Sequence, residues 1–411
     1  MTTSPTPPPT RSDAPARPIV PATRTERIHY AVRDVVLLAQ RAAAEGRDML
    51  YLNVGDPNIF DFAPAPHVID ATIEAIRDNR NGYAPSSGIP EAVDAINQEA
   101  GRLGIRNIQH TYVTSGASEA IDLALAALAN PGDGILTPSP VYPFYTAAIA
   151  KYELLHQPYE LDEDRGWNPD LDDLAARITE RTRAIIVINP NNPTGAVASR
   201  DTLRGIVELA RRHDLVIFAD EIYDKLLFDD AEHQSLAALD PEAKVITFNG
   251  MSKSYVVPGF RLGWGIVSGP APEMADFCEA IQKMERARLS ANHPEQYAIK
   301  PALEQSADHI AEMMTRLTRR RDLTWERLNA IEGISCVKPG GAFYAYPRIE
   351  APVDDVTFVE RVISETGVVI VPGHGFGQRE GTHHFRVVFL PPEDVLERAY
   401  DHIERIMREF L

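Results

Sequence analysis

Apolar positions become periodic from Ile28 onward, and the period changes along the chain. YAVRDVVLLAQRAAAEG spaces its apolar residues three and four apart, which predicts an amphipathic helix ended by Gly46. MLYLNVGDP predicts a short strand running into a turn, and a helix follows from about Pro66 to Asp78, with proline suited to its first position. The middle of the chain alternates helical patterns with short apolar runs rich in β-branched residues: DGILTPS, RAIIVINP, LVIFADE, KVITFNG and GWGIVSG. Runs with no polar alternate face must be buried on both sides, so this order predicts βα units around a mostly parallel sheet. The last third changes character. A long charged helical stretch, roughly Glu304 to Ala330, precedes ISCVKPGGAFYAYPRI, VVIVPGHGFG and HFRVVFL, which read as strands of a smaller α+β unit.

A chain of 411 residues exceeds what one hydrophobic core usually supports. The expected architecture is therefore α/β, with a large domain over residues 61–299 and a small domain assembled from 25–60 and 300–411. Residues 1–24 are rich in Pro, Thr and Ser and are expected to form a disordered tail, because they offer too little apolar surface to offset the entropy of ordering. The start has no apolar core of the kind a signal peptide needs. No internal repeat is visible.

Composition narrows the partners. Lys plus Arg is 41 against 59 for Asp plus Glu, a formal charge of -18 that repels nucleic acid and anionic lipid over most of the surface. An anionic ligand then needs a locally positive pocket. No stretch approaches the apolar length of a membrane span. Cys278 and Cys336 form no CxxC pair and read as reduced core thiols, which fits a cytoplasmic compartment. Walker A, HExxH and paired CxxC patterns are absent from the sequence.

In an open parallel sheet ligands gather outside the carboxyl ends of the strands, so residues just after each apolar run are where chemistry is expected. TYVTSGASEAIDLALAAL reads as a strand, a glycine turn and a helix start whose free amides suit a phosphate, which makes Gly116, Ala117 and Ser118 candidates. Plain capping by Ser115 or Ser118 accounts for the same residues. LVIFAD delivers Asp220, a carboxylate closing a buried strand, where it needs a cationic partner or caps the next helix. KVITFNG delivers Lys253 among Ser252, Ser254 and Tyr255, just before Arg261. A lone loop lysine is ordinarily a solvated charge, but burial and a nearby arginine would lower its pKa and make it a nucleophilic amine.

NPNNPTG at Asn189 to Gly195, then a strand ending D-E-x-Y at Asp220 to Tyr223, then S-K-x-x-x-x-P-G-x-R-x-G at Ser252 to Gly263, occur in that order. This constellation resembles the aminotransferase class I/II family of fold-type-I pyridoxal-phosphate (PLP) enzymes, from about Tyr30 to the C-terminus. The resemblance implies that Lys253 carries PLP and, once freed, moves a proton; that Asp220 pairs with the pyridine nitrogen; and that Tyr223 and Asn192 bond the phenolic oxygen. It implies a ring stacked on Tyr142 and a phosphate held by Ala117, Ser118, Ser252 and Arg261, with Tyr83 reaching it from the second subunit of a homodimer. Gly250 departs from the pattern, since many relatives carry a hydroxyl there, three residues before the lysine. Arg386, in HHFRVVFL, matches the arginine that forks onto the substrate carboxylate, and Gly55, in NVGDP, the glycine whose backbone lies along the substrate.

Within the family, INPNNPTGAV, FADEIYDKLLFDDAEH, FNGMSKSY, PGFRLGW and SCVKPGGAFYAYP are most similar to bacterial alanine aminotransferases of the glutamate–pyruvate type. Alanine and 2-oxoglutarate are therefore the expected substrates, with Arg33, beside Tyr30, as the candidate cation for a distal carboxylate. A helix-surface charge is the alternative for Arg33. Aspartate or broad, aromatic specificity, or a C–S lyase on the same frame, are the competing chemistries. A PLP-sensing transcription factor would need an N-terminal DNA-binding domain, where only a short Pro-rich stretch precedes Tyr30, and the acidic surface opposes DNA binding. PGHGFG lacks the apolar helix that a dinucleotide-binding turn requires and reads as a pocket-edge loop.

Overall fold

The structure, a computed structural model, describes residues 18–28 and 31–411, and for 31–34 the backbone alone. The apolar runs of the middle third form one eight-stranded sheet in the spatial order Ile108–Thr114, Gly263–Ser268, Val245–Gly250, Val216–Asp220, Thr182–Ile188, Gly134–Ser139, Leu155–Asp162 and Asn168–Pro169. Neighbours from Val245–Gly250 through Leu155–Asp162 run parallel. Gly263–Ser268 runs antiparallel to both its partners, so GWGIVSG does not extend the parallel set. A strand buried on both faces reads as continuously apolar whichever way it points, which is why periodicity does not distinguish the two. The Val216–Asp220 and Val245–Gly250 strands hold Ile217, Phe218, Val245, Ile246 and Phe248 at 0 % exposure, as a sheet covered on both faces demands.

The helices follow the predicted punctuation. Ala31–Ala44 ends before Gly46, whose φ of +86° suits glycine, and Pro66–Arg77 starts on its proline. The charged stretch is one long helix, Ala307–Ala330. Beyond it, Ile334–Ser335, Tyr344–Ala345, Arg348–Ile349, Val371–Pro372 and His383–Val388 build a smaller antiparallel sheet. The short strand Leu50–Tyr51 pairs in parallel with Val368–Val369 and brings the NVGDP turn toward that unit. Of the expected tail, residues 18–24 are exposed and lead into a short 3-10 turn, Thr23–Arg27, with no buried residue; the rest lies outside the described residues. Among the described residues no helix is long and apolar enough to cross a membrane. Cys278 and Cys336 are unpaired, the first half-buried and the second buried.

Because the parallel strands share a direction, their carboxyl ends lie on one edge of the sheet. The turns after Thr114, Ser139, Ile188, Asp220 and Gly250, together with Arg261 before the antiparallel strand, therefore converge.

Candidate active site

At that edge lies a cleft of about 300 Å³, lined by Lys253, Asp220, Tyr223, Asn192, Ala117, Ser118, Ser252, Arg261, Tyr142, Gly55 and Arg386. Among the described residues, every candidate except Gly116, which lies next to the lining residue Ala117, and Tyr83 thus meets in one cavity. Tyr83 is 83 % exposed and does not line it. Tyr30 and the side chain of Arg33 lie outside the described residues, although Arg33 itself falls in the helix Ala31–Ala44.

The helix Ala117–Leu128 begins at Gly116, which sits at φ +81° and supplies no side-chain cap. Neither Ser115 nor Ser118 caps it: the Ser115 amide donates to Glu119 Oε2 at 2.6 Å. The first amides therefore remain a place for an anion. A Cβ on Gly116 would collide with the Arg261 guanidinium, and one on Gly263 would collide with the Ala117 amide, so the two glycines let cation and helix start crowd together. Helix dipole and guanidinium then present positive charge at one point on an otherwise acidic protein. Gly250 has a similar explanation. A Cβ there would lie 2.7 Å from the Leu262 carbonyl oxygen and 3.0 Å from the Gly263 Cα, leaving no room for a side chain on this backbone.

Asp220 ends its strand 6 % exposed, and the next residues form a turn rather than a regular helix, so it caps no helix. Its Oδ2 accepts from the Tyr145 hydroxyl at 2.8 Å and its Oδ1 from the Ile222 amide at 3.3 Å. Burial still pushes its carboxyl up to about 6, with Tyr145 and Ile222 opposing the rise. Such a group invites a cation. Tyr145 was not among the expected residues, yet it stands three positions after Tyr142 in VYPFY, within the first turn of the helix Pro143–Lys151 that Tyr142 precedes.

Lys253 Nζ donates to the Gly55 carbonyl at 2.8 Å and lies 5.6 Å from the Phe343 ring centroid. Burial lowers its amine to about 8, aided by Arg386 and Arg261 and opposed by Asp56 and Asp220. The sign matters for reactivity. A lowered amine is neutral from about pH 8 upward, and the cost of burying its charge, full below that pH, fades as pH rises towards the ordinary lysine value. Acylation of Lys253 by an amine-specific reagent, followed by peptide mapping on the ligand-free protein, is expected to reach half its maximal rate near pH 8. A midpoint in the ordinary lysine range would contradict the burial argument.

Arg386 is 3 % exposed and fully committed to the site. Its Nη1 donates to Asn192 Oδ1 at 3.2 Å, its Nη2 to the Asn53 carbonyl at 2.5 Å, and its Nε is buried without a partner. The guanidinium lies between the rings of Tyr344 and Phe376, at 4.8 and 4.9 Å. Phe376 belongs to the PGHGFG loop, whose Phe376 carbonyl accepts from the Val141 amide at 2.7 Å; that loop supports Arg386 from behind and does not itself line the cleft. Tyr223 is buried, with its hydroxyl 2.9 Å from that of Tyr344. Tyr344 lines the cleft, while Phe343 and Phe376 back Lys253 and Arg386; none of the three was among the expected residues, and the PGGAFYAYP stretch that carries the first two marks a resemblance without a role.

A lowered amine, a buried acid, an uncapped helix start and an arginine beside two aromatic rings give this cleft a set of groups suited to an anionic ligand. The family model for "Aminotransferase class I and II" matches residues 47–403. The chain belongs to the aminotransferase class I and II family. This aminotransferase is 42 % identical over 402 residues to the glutamate-pyruvate aminotransferase AlaA of Escherichia coli, covering 95 % of this chain and 98 % of that one. It is 40 % identical over 385 residues to an alanine aminotransferase of Mycobacterium bovis, covering 91 % and 89 %. Among solved structures, an alanine aminotransferase from Pyrococcus furiosus superposes with a TM-score of 0.91 at 40 % identity, covering 95 % of this chain and all of the other. The α/β fold expected from the strand pattern is thus the fold of the family's aminotransferases.

Proposed function

We propose that this aminotransferase works with pyridoxal phosphate held by Lys253 and moves the amino group between L-alanine and 2-oxoglutarate. The observation that carries the reading is the single cleft uniting Lys253, Asp220, Ser118, Arg261 and Arg386. Its donor set suits that cofactor: uncapped amides beside a guanidinium for the phosphate, a buried acid for a protonated ring nitrogen, and an aromatic face at Tyr142. When bound, the cofactor supplies a carbonyl that takes up the amino group and a ring that withdraws the electron pair of the substrate Cα–H bond.

The chain's own groups do the rest. Arg386 forks onto the α-carboxylate, its geometry fixed by Asn192, the Asn53 carbonyl and two flanking rings. Asp220 keeps a proton on the ring nitrogen by remaining ionised beside it. Tyr223 and the Asn192 amide nitrogen donate to the phenolic oxygen, with Asn192 oriented by the bond its oxygen accepts from Arg386. Ser252 adds a hydroxyl for the phosphate. Once freed, Lys253 Nζ would take and hold the proton from the substrate Cα and be placed to give it back to the bound group, a task for an amine tuned towards neutral pH. Gly55, whose carbonyl accepts from that amine, leaves its backbone against the substrate.

Alanine is favoured by the names of the relatives at 40–42 % identity. Arg33, with Tyr30, remains the proposed partner of glutamate's distal carboxylate. We further propose the division into a large domain of residues 61–299 and a small one of 25–60 and 300–411, a cytoplasmic location consistent with two free thiols, and a homodimer in which Tyr83 reaches the partner's phosphate site. The exposure of Tyr83 leaves it available for that contact. Purified protein incubated with a panel of amino donors, with pyruvate or 2-oxoglutarate as acceptor, tests the reading. Alanine with 2-oxoglutarate is expected to be fastest; a preference for aspartate or aromatic donors, or keto-acid release without an acceptor, would replace it.

Asp220 adds a pH signature. Its raised pKa means that burying the carboxylate costs nothing below the ordinary range, while the cost grows as pH rises from that range and is complete by about 6. A cationic ring nitrogen relieves that cost. Pyridoxal phosphate is therefore expected to raise Tm more above pH 6 than below the ordinary carboxylate range, and the difference should shrink in Asp220→Asn. An equal increment at both pH values in the unsubstituted protein would argue against the pairing.

A further inference from the structure

The ring of Tyr344 flanks Arg386, but its hydroxyl is used by none of the roles above. Tyr344 is 2 % exposed and lines the cleft. Its strand pairs with His383–Val388 in the register Tyr344–Val388, so Arg386 lies two residues along the partner strand, on the same face. The Tyr344 hydroxyl is 2.9 Å from that of Tyr223, and its ring lies 4.8 Å from the Arg386 guanidinium carbon. A Cβ on Gly55 would collide with the same hydroxyl, so Tyr344 also presses on the backbone that faces the substrate. One side chain from the small sheet thus touches the residues proposed for the phenolic oxygen, the carboxylate and the substrate backbone.

The chemistry of two buried hydroxyls in contact is restrictive. Each has one hydrogen, and only one of them can donate across the pair. Tyr223 can donate to a ring oxygen only when Tyr344 is the donor within the pair; with the roles reversed, the Tyr223 hydrogen is already committed. Chains of hydrogen bonds also polarise one another, so donation by Tyr344 strengthens donation by Tyr223.

We infer that Tyr344 is a positioning residue that sets the donor direction of the Tyr223 hydroxyl and couples it to the arginine that receives the substrate carboxylate. The inference rests on the pyridoxal-phosphate reading. Tyr344→Phe removes a single oxygen and keeps the ring against Arg386. In the substrate-free holoenzyme, the pH midpoint of the visible absorbance change is expected to move up by about 0.1 to 0.3 unit, because the substitution removes the bond that polarises Tyr223 and leaves the Tyr223 donation itself in place. The direction follows from weaker donation to the ionised phenolic oxygen, which then favours a proton on its side. In a Tyr223→Phe background the same substitution is expected to move the midpoint little, because its effect passes through Tyr223. A midpoint unmoved by Tyr344→Phe, with the band intact, overturns this inference alone. An equal shift in both backgrounds also overturns it. Absence of any visible band in the unsubstituted protein overturns the cofactor reading and this inference with it.

Discussion

Replacing Lys253 with alanine is expected to abolish both the visible absorbance of the bound cofactor and transamination. Lys253 Nζ is the amine that the cleft tunes, lowered to about 8 and aimed at the Gly55 carbonyl. Proton transfer by a positioned side chain accounts for about 10²- to 10⁴-fold in rate, and the covalent role of the amine adds to that. A loss of at least about 10⁴-fold is therefore expected. Lys253→Arg keeps the charge but cannot become a neutral amine, and it should fail equally. Thermal unfolding of both variants separates loss of chemistry from loss of fold. Transamination retained by either variant at a substantial rate would sink the assignment.

Arg386→Ala should raise KM strongly for every amino acid. The guanidinium is buried, bonded to Asn192 and Asn53, and stacked between two rings, so its loss removes a fixed charge with no replacement nearby on that strand. Truncating one partner of a buried hydrogen-bonded charge pair costs about 2–5 kcal/mol, or about 30- to 5000-fold in kcat/KM. Arg386→Lys restores charge without the planar fork and should recover little of this. Steady-state kinetics with alanine and glutamate decide the role. A loss confined to glutamate would make Arg386 the distal-carboxylate residue instead.

The parts of this site that follow a strand were legible in the chain because chemistry in an open α/β sheet collects at strand ends. Asp220, Asn192 and Lys253 could be marked from the apolar runs before them, and motif order supplied Arg386. Contacts between distant segments were not legible. Tyr223 meets Tyr344 across 121 residues, Arg386 meets Asn192 across 194, and Lys253 meets Gly55 across 198. No local pattern encodes such pairings. Tyr145 is a different case, since its i, i+3 spacing from Tyr142 was readable but carried no chemical label until the strand end of Asp220 was brought beneath it. The capping accounts of Ser115, Ser118 and Asp220 failed because the helix start uses Gly116 and the segment after Asp220 stays a turn. The direction of Gly263–Ser268 was hidden for a third reason, the two-sided burial that makes parallel and antiparallel strands look alike.

Glycine carries more of this site than its lack of a side chain suggests. Gly116 and Gly263 let the Arg261 guanidinium, the Ala117–Leu128 helix start and the neighbouring strand occupy nearly the same space, and Gly250 lies flush against the Leu262 carbonyl. The missing hydroxyl at position 250 is therefore a consequence of local packing, which leaves Ala117, Ser118, Ser252 and Arg261 as the residues proposed for the phosphate.

The most direct test of the account is chemical. Protein incubated with pyridoxal phosphate, reduced with borohydride and digested should yield one peptide bearing the pyridoxyl label, at Lys253. A label at another lysine, or none, would contradict the claim that this buried amine holds the cofactor.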